Sequence, residues 1–126
     1  MLFRSFLCVA TDVTGLRQAQ RALKLAAVTD RLTGMPNRAA ILDVARETLR
    51  HCRPDERVAA LYVDLDNFKQ VNDTFGHEAG DRLIIEAVRR IKEAAGPHGG
   101  MLRLGGDEFA VFLCDDCDGE IGRAHV

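Results

Sequence analysis

Apolar residues along this chain fall into blocks whose spacing changes from helical to extended and back. Val13, Leu16, Gln20, Leu23 and Ala27 recur at alternating three- and four-residue steps within residues 13–28. That is a short heptad-like helical seam, with Gln20 as its polar exception. Before it, residues 6–10 read as a strand that Asp12-Val13-Thr14 brings to an end. Residues 37–52 read as an amphipathic helix with Ile41, Leu42, Ala45 and Leu49 turned inward. The unbroken apolar run 58–63 reads as a buried strand. A short helix follows, then residues 81–95, whose Leu83, Ile84, Ala87, Val88 and Ile91 form one apolar face. Gly96-Pro97 stops that helix. Two apolar runs, 101–104 and 110–113, flank Gly105-Gly106-Asp107-Glu108-Phe109 and make a hairpin. Helices over an antiparallel-containing sheet predict an α+β architecture.

The hairpin tip carries the first candidate chemistry. Missing Cβ atoms at Gly105 and Gly106 permit positive φ and close approach by a bulky anion, while Asp107 and Glu108 suit a hard cation. A Gly-Gly-Asp turn is equally ordinary hairpin chemistry with a solvated tip. A second acidic site upstream separates the two readings, because the 58–63 run ends in Asp64-Leu65-Asp66. Carboxylates at the end of a buried strand are costly without a partner or a metal. If this strand lies beside the hairpin, Asp64 meets Asp107 or Glu108 in an oxygen-rich site of the kind magnesium uses with phosphates. Asp66, where the chain turns into the next helix, is expected to be its N-cap.

Other patterns carry less. His77-Glu78 is followed by Asp81 where a zinc helix needs a second histidine, so His77 reads as structural. Cys114 and Cys117 form a single C-x-x-C, with Cys8 and Cys52 far away in sequence. All are expected to be free thiols of a reducing cytosol. With 47% hydrophobic and 29% charged residues, the 126-residue chain can bury one core. A net charge of −2 gives no basic field, so no nucleic-acid partner is expected and any nucleotide must be held by local lysines, arginines and metal. No apolar stretch is long enough for a membrane segment, and no secretory signal appears. A cytoplasmic location is expected, with any membrane anchor lying elsewhere in a parent protein.

Four ordered segments resemble the GGDEF family of diguanylate cyclases. They are Asp30-Arg31-Leu32-Thr33-Gly34-Met35-Pro36-Asn37-Arg38; Asp64-Leu65-Asp66-Asn67-Phe68-Lys69-Gln70-Val71-Asn72-Asp73; Phe75-Gly76-His77 with Gly80-Asp81; and Arg103-Leu104-Gly105-Gly106-Asp107-Glu108-Phe109. Ordered matches across residues 28–114 are far more specific than one motif. The resemblance implies a palm-like, ferredoxin-like sheet and condensation of two GTP molecules into cyclic di-GMP with release of pyrophosphate. It implies Asp64, the Leu65 carbonyl, Asp107 and Glu108 as ligands of Mg2+ or Mn2+, with Glu108 also beside the reacting 3′-hydroxyl. Gly105 and Gly106 would pass under the α-phosphate, and Lys69 would contact phosphate. Asn72 and Asp81 match the guanine-contacting pair, an amide and a carboxylate whose donors and acceptors adenine would leave unpaired. Read without the resemblance, these polar positions are a solvated helix face.

The resemblance also implies a homodimer, each protomer bringing one GTP to the other. Residues 1–14 resemble the end of a PAS-like sensor domain, 15–28 a signalling linker helix, and 29–119 a partial GGDEF domain. Segments 1–5 and 120–126 resemble translated sequencing-adapter stretches and are expected to be scars. The fragment alone is expected to be weakly active or inactive, because the family continues through further strands and phosphate-contacting basic residues. An inhibitory Arg-x-x-Asp motif found in many relatives falls here on Gly96-Pro97-His98-Gly99, so product inhibition through that site is not expected. The alternative reading is a degenerate GTP-binding regulatory or dimerisation module; another purine nucleotide cyclase is the competing enzyme class.

Overall fold

The computed structural model describes residues 7–115. Helix α1 spans Thr14–Val28, a short 3-10 turn at Arg38–Ala40 leads into α2 at Ile41–His51, and β1 spans Arg57–Asp64. Helices α3 (Phe68–Phe75) and α4 (His77–Ala95) follow, then strands β2 (Gly100–Arg103) and β3 (Glu108–Asp115). The three strands form one antiparallel sheet in the order β1-β3-β2. The β2–β3 hairpin is as expected, and β1 pairs along β3 from Arg57 opposite Asp115 to Asp64 opposite Glu108. The α+β class is therefore observed.

The core lies between the sheet and α4. Ile84 and Val88 of α4 cluster with Met101, Phe109, Val111 and Met35. They lie on the apolar face read from the sequence, since residues three and four apart on a helix stack on one side. Phe109, Ile84 and Leu102 are fully buried. Gly96 ends α4 with φ of 75°, a left-handed conformation that a side chain would strain.

Helix α2 covers the other face of the sheet, and here the expected burial is corrected. Thr48 is buried and Val44 and Ala45 are partly so, while Leu42 and Leu49 are 64% and 58% exposed and Ile41 is exposed at the margin. The helix meets the sheet over Gly100, where a Cβ would sit 2.4 Å from Thr48 Oγ1 and 2.8 Å from Val44 Cγ1. That close approach puts the Val44–Thr48 side inward and turns Leu42 and Leu49 away. Strand β1 is likewise not the buried strand expected: Leu61 and Tyr62 are exposed, because β1 is an edge with β3 as its neighbour among the described residues.

Three further expectations change. Residues 7–10 are exposed and form no strand, since no neighbour among the described residues offers them ladder hydrogen bonds; Phe6 lies outside the described residues. The residue preceding α3 is Asn67, with φ of 60° and no side-chain cap hydrogen bond, so Asp66 is not the N-cap. Helix α1 is exposed from Thr14 to Ala27, with its seam uncovered.

Cys52 and Cys114 are joined in a disulfide, which overturns the expectation of free thiols at these positions. The end of α2 and the end of β3 bring their Cα atoms to 5.5 Å across 62 residues of sequence. Cys8 is free and exposed; Cys117 lies outside the described residues. Closing so long a loop should stabilise the fold by on the order of 4 kcal/mol. Denaturant unfolding with and without a reductant checks this, as does Cys52→Ser; superimposable curves would count against the bond.

Candidate active site at the end of the sheet

The acids singled out in sequence converge. Register places Asp64 directly opposite Glu108, and the Leu65 N–H donates to the Asp107 carbonyl at 3.1 Å, extending the pairing one step past the ladder. Neighbouring protein atoms displace water from Asp64, and the Asp107 carboxylate stands against it; together with Glu108 and Asp66 they hold the Asp64 carboxyl above its usual range. The oxygens thus meet at one exposed end of the sheet, beyond the cover of α2. Leu65 is partly buried against the core cluster.

The turn between β2 and β3 is set by Arg103. Its Nε donates to the Gly105 carbonyl at 3.0 Å and the Gly106 carbonyl at 3.2 Å, and its Nη2 donates to Gly106 at 2.7 Å. Its Nη1 lies 3.1 Å from both carboxylate oxygens of Asp30. Asp30 also accepts from the Thr33 N–H at 2.9 Å and the Thr33 hydroxyl at 2.6 Å. Burial opposes ionisation of Asp30, but the hydrogen bonds from Thr33 and Arg103 prevail and hold its carboxyl below the usual range. The segment after α1 is tied to the same strand through the backbone, Arg103 N–H donating to the Pro36 carbonyl at 2.9 Å.

Neither Gly105 nor Gly106 has positive φ, contrary to the expectation that this freedom explains them. Nor does crowding within the chain require them: a Cβ on Gly106 would meet nothing within 4 Å, and one on Gly105 would lie 3.2 Å from Glu108 Oε2 at the end of a flexible side chain. On α3, Lys69 stands exposed on the first turn, and Asn72 is partly buried. Asn72 packs against Gly80, whose neighbour Asp81 is exposed on α4. Recesses of about 240 and 460 Å³ open instead beside His51 and His98, and none of the predicted acids lines them.

The profile of the diguanylate cyclase GGDEF domain family matches residues 27–122. The chain belongs to this family. Among curated relatives, this GGDEF domain is 41% identical over 106 residues to the cyclic di-GMP phosphodiesterase PdeR of Escherichia coli, covering 84% of this chain and 16% of PdeR. It is 43% identical over 99 residues to the diguanylate cyclase DgcN of Escherichia coli, covering 78% of this chain and 24% of DgcN. Its fold matches the coiled coil and GGDEF domain of DgcB from Caulobacter crescentus, solved in complex with c-di-GMP, with a TM-score of 0.69 and 31% identity over 84% of this chain and 56% of that one. The chain therefore spans less than two thirds of each.

Three residues at or behind the site were assigned no role from sequence. Asp30 and Arg103 are 73 positions apart, and pattern alone does not pair them. Tyr62 was readable in principle, being two residues before Asp64 and so on the same face of β1. The Glu108 carboxylate, first as a hydrogen-bond acceptor, raises the Tyr62 phenol to about 12. Tyr62 is the one tyrosine of the chain, which makes it a reporter of the acidic cluster. Ultraviolet titration of tyrosinate should give a midpoint near 12 in the native chain, falling in Glu108→Gln toward the ordinary value of about 10. Any stability from this contact is present below the unfolded phenol's pKa and is lost as pH rises through the higher folded value. An unchanged midpoint in Glu108→Gln would place the glutamate elsewhere.

Proposed function

We propose that the protein carrying this GGDEF domain is a diguanylate cyclase that condenses two GTP molecules into cyclic di-GMP and releases pyrophosphate. One observation carries the reading: Asp64, Asp107 and Glu108 come together at an open strand end beside the Gly105-Gly106 turn. A like-charged pair of carboxyls in the open costs stability, and a hard divalent cation offsets it, so the donor set fits magnesium or manganese. Asp64, the Leu65 carbonyl, Asp107 and Glu108 would hold the ion. Bound there, it lowers the pKa of the attacking hydroxyl and neutralises charge on the leaving pyrophosphate.

The remaining roles fall to the chain's own groups. Gly105 and Gly106 leave the α-phosphate room to approach backbone, and Lys69 supplies positive charge to the phosphates. Asn72 and Asp81 receive the guanine edge, and Glu108 sits where the 3′-hydroxyl proton must go. An open site on the surface rather than in a recess suits two protomers meeting face to face, each hydroxyl attacking the partner's α-phosphate. The exposed helix Thr14–Val28 would set how they meet, with a sensor domain before it in the parent protein. The enzyme would act in the cytoplasm; among the described residues no helix is long and apolar enough to cross a membrane.

Mass analysis of the products from GTP and ATP tests the reading, with this chain and with a longer protein carrying it. Cyclic di-GMP and pyrophosphate from GTP support it. Product from ATP would identify another purine nucleotide cyclase, and tight GTP binding without product from the longer protein would identify a regulatory module.

A further inference from the structure

Gly80 lies buried in the first turn of α4, and the side chain beneath it is Asn72 of α3. A Cβ built on Gly80 would stand 1.8 Å from Asn72 Oδ1, 2.8 Å from its Cγ and 3.3 Å from its Nδ2. The amide therefore meets the α4 backbone with its oxygen leading. Asn72 Oδ1 is also the one buried side-chain polar atom without a hydrogen-bond partner among the described residues. Buried polar atoms are nearly always paired, and exceptions gather where structure serves a ligand. An asparagine chosen for stability here would be replaced by an apolar residue at no cost, since its oxygen gains nothing in this packing.

We infer that Gly80 is a positioning residue for purine selection: its missing side chain lets α3 and α4 close up and holds the Asn72 amide at the spacing from Asp81 that a guanine edge requires. This rests on the guanine-reading role proposed above for Asn72 and Asp81. A methyl group at position 80 must displace the amide, because two helices packed this closely cannot absorb it elsewhere. Asp81 stays in place on its own helix while the amide shifts, so the two groups that read one base edge fall out of register. The phosphates, held elsewhere, are unaffected.

Calorimetric binding of non-hydrolysable GTP and ATP analogues to the full chain, with magnesium, tests this. Gly80→Ala should lower the GTP-over-ATP affinity ratio about tenfold while the affinity for the ATP analogue changes less than about twofold, the pattern of a lost polar match rather than a lost fold. Asn72→Ala should lower the ratio similarly, and Gly80→Ala added to it should cost nothing more, because the atom it strikes is gone. If Gly80→Ala alone does not fold, the double variant should fold and show the ratio of Asn72→Ala. A native chain without guanine preference would remove the guanine site and this inference with it. A native preference that survives in Gly80→Ala, or a further loss in the double variant, would overturn the inference and leave the guanine site standing.

Discussion

In a longer protein carrying this domain, if it is the cyclase proposed above, Asp64→Asn should lower cyclic di-GMP formation by about a thousandfold or more, while leaving the fold of the domain as stable as before or more so. The activity loss follows from removing a charged oxygen ligand where transferred phosphate must be neutralised, which is worth at least as much as a single preorganised donor. The stability gain follows from the site's electrostatics. Displaced water and the facing Asp107 both disfavour ionised Asp64 and raise its pKa in the folded chain. A carboxyl whose folded pKa is raised stabilises the fold only below its unfolded pKa, and that contribution is lost as pH rises through the folded value. At neutral pH the native acid is therefore a burden, and the neutral amide removes it. Function and stability thus pull opposite ways at this residue, as expected of a binding site assembled against its own repulsion. Thermal unfolding against magnesium concentration adds a second readout. The ion should raise the midpoint of the native chain by mass action and leave Asp64→Asn nearly unmoved. Equal magnesium responses in both chains would mean that Asp64 does not hold the ion.

Arg103→Ala should have the second-largest effect, and of a different kind, losing stability and activity together. Its guanidinium pairs with Asp30 where both side chains are largely buried, at 14% and 20% exposure, and it also binds the Gly105 and Gly106 carbonyls. Removing one partner of a buried pair leaves the other charge stranded, at a cost of about 3 kcal/mol or more. The turn loses the donors that orient it, so product formation by a longer protein carrying the domain, if it is the cyclase proposed above, should fall roughly a hundredfold even where the variant remains folded. Asp30→Asn separates the parts: it removes the charge but leaves Arg103 to donate to the turn. It should cost stability at neutral pH with a smaller loss of activity. Because the Asp30 carboxyl is held low in the folded chain, its contribution is present above the unfolded carboxylate's pKa. It fades as pH falls through the folded one, so native and Asp30→Asn unfolding curves should converge in acid. Curves that stay apart at low pH would assign the loss to Thr33 packing instead.

The features legible in sequence are those that depend on near neighbours. The apolar face of α4, the stop at Gly96 and the β2–β3 hairpin follow from spacing and breakers, and the structure has them. Asp64 and the 107–108 pair were readable as partners because one closes and the other opens an apolar strand, and antiparallel neighbours bring such positions together. The same reasoning failed for β1 and α2. An apolar run states that a segment can be covered on both faces, whereas Leu61 and Tyr62 are covered only if another element lies beside them. Helix α2 carries apolar residues on more than one side, and the gap over Gly100 selects which side turns in.

By itself, then, the sequence determined the family and most of the element types, the strand expected before α1 excepted, and it singled out the acids that the sheet brings together, because helical and strand periodicity and short motifs are written within a few residues. Only the tertiary structure decided that Cys52 bonds Cys114, that Arg103 joins Asp30 to the glycine turn, and that Gly80 lies on Asn72. Each of these joins separate elements at atomic distance. Such contacts depend on how helices and strands seat against one another, a matter of ångströms that no local spacing encodes.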